Sequence, residues 1–190
     1  MGLTATQNMI VLQAMELSWI GGQADDADDQ CAHGRVTMKV NGREFVSPQD
    51  GTWTVSAAAL YLLRTFSSDH GEGLTVADQN YLFPCCGFNA WKLPEDERVV
   101  CIGCPNGLDV EVIHKNGSLV ELRKRDVVEC VSVDMWTRAV LGFAMQIRQF
   151  YQDSRRKAYI ADDFDRSGWD AFWKEWSELE ASATASLNVY

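Results

Sequence analysis

The apolar positions of this chain keep two different rhythms. Over most of the chain up to about residue 130 they come in short, strand-like runs; in one mid-chain stretch and beyond residue 130 they recur every three or four residues. Val36-Thr37-Met38-Lys39-Val40 alternates with a period of two, the period that puts every second side chain on one face of a strand. Asn41-Gly42 then joins it to Arg43-Glu44-Phe45-Val46. Asn-Gly between alternating runs predicts a hairpin, because both residues tolerate the positive φ of a type I′ turn. A second hairpin is predicted from Val110–His114 and Ser118–Leu122 around Lys115-Asn116-Gly117. Met9–Ile20 reads as a further strand stopped by Gly21-Gly22, and Val99–Ile102 as a buried one.

The helical spacing appears first in mid-chain. Val55, Ala58, Ala59, Leu62, Leu63 and Phe66 share one face, Thr52 or Thr54 can cap the start, and the end falls near Ser68. It returns in Trp136, Val140, Phe143, Ile147 and Phe150/Tyr151, with Ser132 or Asp134 at the N-terminal end, and in Trp169, Phe172, Trp173, Trp176 and Leu179. The expectation is one α+β domain over 1–190, with a mainly antiparallel sheet built from hairpins, one mid-chain helix and two C-terminal helices. Residues 1–130 are its sheet-rich part, 131–180 its helical part and 181–190 a frayed tail.

Charge narrows the choice of partner. There are 17 basic and 27 acidic residues, a formal net charge of −10. Binding to nucleic acid or to an anionic membrane needs clustered Lys and Arg, so both are disfavoured; a basic protein partner suits the balance. No run approaches the ~18 consecutive apolar residues that a membrane helix requires. No basic stretch precedes the apolar run from Met9 to Leu12, so no signal peptide is expected. The protein is expected to be cytoplasmic, with reduced cysteines.

Four of the six cysteines fall within twenty residues, in Phe83-Pro84-Cys85-Cys86-Gly87-Phe88 and Cys101-Ile102-Gly103-Cys104-Pro105-Asn106-Gly107. Cys101-x-x-Cys104 has the spacing of a zinc knuckle, and four thiolates can saturate a tetrahedral Zn²⁺. Cys85 and Cys86 are adjacent, however, and adjacent strand residues point to opposite faces. The expectation is therefore no metal and no cofactor, with Zn²⁺ on Cys85, Cys86, Cys101 and Cys104 as the alternative. Cys31-Ala32-His33 could be a thiol–imidazole pair, but no third orienting group is identifiable. His70 and His114 are isolated in sequence, and no Walker loop, dinucleotide-type glycine turn, HExxH or GxSxG occurs.

Two acidic segments remain, Asp25, Asp26, Asp28 and Asp29, and Asp162, Asp163 and Asp165. With an aromatic anchor at Trp176 they make a candidate partner-binding set, since acidic loops steer a basic partner and Trp is favoured at interface hot spots. Leu82–Phe88, Gly103–Gly107 and Phe172-Trp173-Lys174-Glu175-Trp176 together resemble an uncharacterised family of small bacterial proteins associated with immunity to polymorphic or type VI secretion toxins, over about residues 10 to 180. The resemblance implies a cytoplasmic, non-enzymatic protein that neutralises a cognate toxin, and it carries no catalytic residue. The alternatives are a zinc-stabilised interaction module and a thiol-dependent enzyme.

Overall fold

The computed structural model describes residues 9–23, 25–71, 76–77, 80–85, 89–92, 98–102 and 105–188. Strand β1 (Ile10–Ser18) pairs antiparallel with β2 (His33–Val40), which pairs in turn with β3 (Arg43–Val46) and, further along, with the short β4 (Trp53–Thr54). Asn41 and Gly42 take φ of 51° and 82°, so the β2–β3 turn is the one its sequence requires. Helix α1 (Val55–Arg64) follows directly from β4. Thr54 is its N-cap residue, but the Thr54 hydroxyl makes no capping bond. The helix ends at Arg64, followed by a non-helical turn over 65–67, short of Ser68.

Helix α1 also departs from a one-faced stripe. Every residue from Val55 to Leu63 is buried, including Ser56 and Tyr61, so the helix runs through the middle of the core. It packs on α2, α3 and β2, and the chain adds a two-stranded sheet, β5 (Asn89–Lys92) with β6 (Val99–Ile102), and a three-stranded one, β7 (Glu111–Lys115), β8 (Leu119–Lys124) and β9 (Val127–Ser132). Asn116 and Gly117 turn the β7–β8 hairpin at φ of 53° and 69°. The third strand, β9, was not among the expected elements. It is a half-exposed strand that follows Arg125-Asp126, with Arg125 at φ 52°.

Helix α2 (Val133–Asp153) starts at Ser132, whose hydroxyl accepts from Met135 N at 3.2 Å. Its Trp136, Val140, Phe143 and Ile147 are buried, as the stripe requires. Gln146 reaches β1, accepting from Ala14 N at 3.0 Å and donating to Ala14 O at 2.6 Å. This closes the β1 edge with a side-chain amide, where an open edge would offer pairing to another chain. Helix α3 (Asp163–Leu187) begins in the second acidic segment and runs well past residue 180. The frayed tail is corrected: Ala183 is fully buried and Leu187 packs on the core, so the helix keeps its partners to the end. The architecture is α+β, with antiparallel sheets, a mid-chain helix and two C-terminal helices.

A candidate docking cleft between two acidic segments

The first acidic segment is a folded loop whose carboxylates divide into two kinds. Asp26 Oδ1 accepts from Asp28 N at 2.9 Å and from Asp29 N at 3.3 Å. Asp29 accepts from Ile20 N at 2.5 Å with one oxygen and from Cys31 N at 2.8 Å with the other. Carboxylates bonding to backbone two or three residues away are the usual chemistry of Asx turns. Asp26 and Asp29 therefore shape the loop. The side chains of Asp25 and Asp28 are exposed, and Asp28 joins that network through its backbone N–H.

The second segment divides in the same way. Asp162 is the N-cap of α3, accepting from Phe164 N at 2.9 Å and Asp165 N at 3.0 Å. Asp163 pairs with Arg166. Both sit well at the positive end of the helix dipole. Asp165 accepts from the Trp91 indole nitrogen at 3.4 Å.

The fold brings carboxylates from both segments to the same place. Asp28, Asp29 and Asp165 line a cleft of about 370 Å³, together with Ile20, Tyr159 and Trp169. Ile20 and Tyr159 are 75% and 77% exposed, and Phe164, stacked edge-on against Trp91, is 57% exposed. Ile20 and Tyr159 thus put exposed apolar surface on the lining of the cleft, and Phe164 adds more next to Asp165 at the start of α3. Ile20, Tyr159 and Phe164 had no place in the sequence-level site. Their exposure follows from two loops meeting in space, which no local pattern reports.

Trp176 is corrected. It is fully buried among Phe172 and Trp173, with ring centroids at 5.6 and 5.3 Å, and presents no surface to a partner. The late aromatic stripe is core, closed over by Arg148, whose guanidinium lies 5.7 Å from both the Trp173 and Trp176 rings and 2.7 Å from Glu180 Oε2.

The thiol candidates sit behind this cleft. Cys31 is buried at its floor, and burial, reinforced by Asp29, pushes its pKa far above the ordinary thiol value. Burial holds His33 below the ordinary imidazole value, and its Nε2 lies 3.5 Å from Thr54 Oγ1. A nucleophilic pair needs a thiolate beside an imidazolium, and both shifts run the other way. Cys101 is buried beneath Tyr61, whose hydroxyl accepts from Cys101 N at 2.8 Å, and burial pushes this thiol up to about 12. Cys85 is half-buried. Cys86 and Cys104 lie outside the described residues, so the four-thiolate zinc set has no geometry here. Among the described residues, no three His, Cys, Asp or Glu side chains are grouped to hold a metal ion.

These thiols give a prediction with a definite sign. Each has a folded pKa above its unfolded value of about 8.5, so the folded state binds more protons in that window. Their contribution is complete below about pH 8.5 and is lost as pH rises toward about 12, so stability should fall through that range. At pH 8, maleimide should label the exposed Cys130 at once, and Cys31 and Cys101 only on unfolding. Rapid native labelling at either buried position, located by peptide mass analysis, would contradict the burial.

The two outer histidines are brought close to carboxylates that sequence order separates. His70 Nε2 lies 2.8 Å from Asp109 Oδ1, which also accepts from Leu82 N at 3.0 Å. His114 Nδ1 lies 2.9 Å from Asp69 Oδ1, and His114 N donates to the same oxygen at 2.7 Å. The donation from His114 holds the Asp69 carboxyl below the usual carboxylate range. Asp69 and His70 line a second cleft, of about 420 Å³, with Tyr61, Arg64 and Ser68; the His114–Asp69 pair ties the segment after α1 to β7, and the His70–Asp109 pair ties it to the residues just before β7. Comparison of the chain with protein-family models, curated proteins and solved structures found no match.

Proposed function

We propose that this protein is a non-enzymatic binding protein of the immunity type, which docks a basic protein partner, a cognate toxin, in the cleft between its two acidic segments. One observation carries the reading: Asp28 and Asp165, far apart in sequence, line a single cleft rimmed by exposed Ile20 and Tyr159. Carboxylates beside exposed apolar surface are what a cationic, partly apolar partner segment needs. The charges supply steering and orientation, and the apolar rim supplies the burial that slows release. The net charge of −10 extends the steering field beyond the contact itself.

The division of labour among the aspartates makes the reading testable. Asp26 and Asp29 hold the loop, so their replacement would confound charge with folding. Asp28→Asn with Asp165→Asn leaves the loop bonds of Asp26 and Asp29 in place. The double variant should associate about 10-fold more slowly at low salt with the product of the adjacent reading frame, and dissociate almost unchanged. The difference should shrink as ionic strength approaches physiological, where the Debye length is about 8 Å. Tyr159→Ala should act in the opposite way, mainly on dissociation. Surface-based kinetics at two salt concentrations measure both. No binding to that product, with both proteins folded, would sink the immunity reading.

A further inference from the structure

The connector between α2 and α3 carries a cation seated on the first acidic loop, next to the cleft residues Ala158 and Tyr159. Lys157 Nζ lies 2.9 Å from the centroid of the Trp19 ring and donates to Asp26 O at 2.6 Å. The Tyr151 ring stands 5.8 Å away on another side, and the Asp26 and Asp29 charges face the ammonium from the loop. The next residue continues the attachment, with Ala158 N donating to Ala27 O at 2.8 Å. Trp19 is itself fixed, packed on Phe150 and Tyr151 at 4.7 and 5.1 Å. The Tyr151 hydroxyl donates to Gln30 O at 2.6 Å. The loop over 25–29, the aromatic base and the connector that bears Tyr159 thus converge on one ammonium group.

We propose that Lys157 is the positioning residue of the docking cleft: a cation supplied by the chain itself, whose seat on Trp19 and Asp26 O sets the first acidic loop against the connector and the start of α3. A partly desolvated ammonium over an indole face, donating to a carbonyl, is a strong local tie. The loop's own Asx bonds give it a shape but do not say where that shape sits. Lys157 says where. The consequence for binding rests on the docking reading; the positioning role does not.

The test separates the two. Hydrogen exchange is followed by mass spectrometry on the full chain, as wild type, Lys157→Arg and Lys157→Met. Peptides covering 19–31 and 154–160 are compared with β8 as an internal reference. Lys157→Met should speed exchange in the first two segments about 10-fold, with β8 within about 2-fold of wild type. Lys157→Arg, which keeps a cation able to lie on an indole face, should restore most of the protection. Unchanged exchange at 19–31, or an equal rise in β8, would overturn the positioning role.

The second arm uses an oligolysine peptide as the cationic probe at low salt. Losing one cation takes the formal net charge from −10 to −11, so charge alone predicts tighter binding by Lys157→Met. Positioning predicts weaker binding, by about 3-fold or more, in the part that Asp28→Asn with Asp165→Asn also removes. Tighter binding in that part would overturn the positioning role. If no variant shows any cleft-dependent binding, the docking reading falls, while the exchange data still decide the role of Lys157.

Discussion

Glu175→Ala is expected to cost about 3–5 kcal/mol of folding stability, because it strands a buried cation. Glu175 lies on α3 and takes both prongs of the Arg64 guanidinium from α1, with Nε to Oε1 at 2.7 Å and Nη2 to Oε2 at 3.0 Å. Both side chains are only 14% exposed. The pair also clamps β6, since Glu175 Oε2 accepts from Val99 N at 2.9 Å and Arg64 Nη2 donates to Val99 O at 2.6 Å. One substitution therefore leaves a guanidinium without its counter-ion and a strand amide without its acceptor. An exposed pair of the same geometry would be worth less than about 1 kcal/mol, so burial decides the size. Replacing both charges tells a different story: Arg64→Met with Glu175→Leu removes the stranded charge and should recover most of the loss. Urea unfolding of the two singles and the double closes a mutant cycle. A loss under about 1 kcal/mol for Glu175→Ala would show that the pair is solvated and that the three elements are held by packing alone.

How far such a clamp could be read from sequence shows where local patterns stop. Both Asn-Gly turns, the strand alternation before them, the start of α1 and the Ser132 cap were legible, because each depends on residues within a few positions of one another. The burial of α1 on every side was not, since Ser56 and Tyr61 look like the polar face of an ordinary surface helix. What buries them is α2, α3, β2 and, over Tyr61, β6, which close round from distant parts of the chain. Strand β9 escaped for a related reason. Val127-Val128-Glu129-Cys130 belongs to an edge with one half-exposed face, where the alternation of burial is weak.

The candidate site was legible in half. The acidic segments stood out, but not that Asp26, Asp29 and Asp162 serve the backbone while Asp28 and Asp165 share a cleft. Carboxylates that cap a turn and carboxylates that line a cleft look the same in a sequence. Trp176 was taken at its residue type, favoured at interfaces, when its helical spacing with Trp169 and Phe172 already placed it on the inward face. Lys157 carried no signal at all, because its partners Trp19 and Asp26 come from the other end of the chain.

The same inward face sets the second large effect. Gly168→Ala should destabilise the protein by about 3 kcal/mol or more, although alanine is the better helix former by about 1 kcal/mol. Gly168 lies in the first turns of α3 where the helix crosses β5. A Cβ there would stand 1.7 Å from Ala90 O, 2.7 Å from Ala90 C and 3.3 Å from Trp91 Cα. All three are backbone atoms, so no rotamer change relieves the clash. Either α3 withdraws by more than an ångström, which loosens the neighbouring Trp169 and Phe172 in the core, or β5 gives way along with Asp165's partner Trp91. Overpacking a core by a methyl group usually costs about 1–3 kcal/mol where side chains can shift, and here none can. Gly142 in α2 supplies the control, because a Cβ there meets nothing within 4 Å. Gly142→Ala should therefore stabilise by about 0.5–1 kcal/mol through helix propensity and the stiffer unfolded chain. Urea midpoints for the two variants should move in opposite directions. A Gly168→Ala protein as stable as wild type would mean that α3 does not rest directly on the β5 backbone, and the second acidic segment would lose the support that sets it against the first.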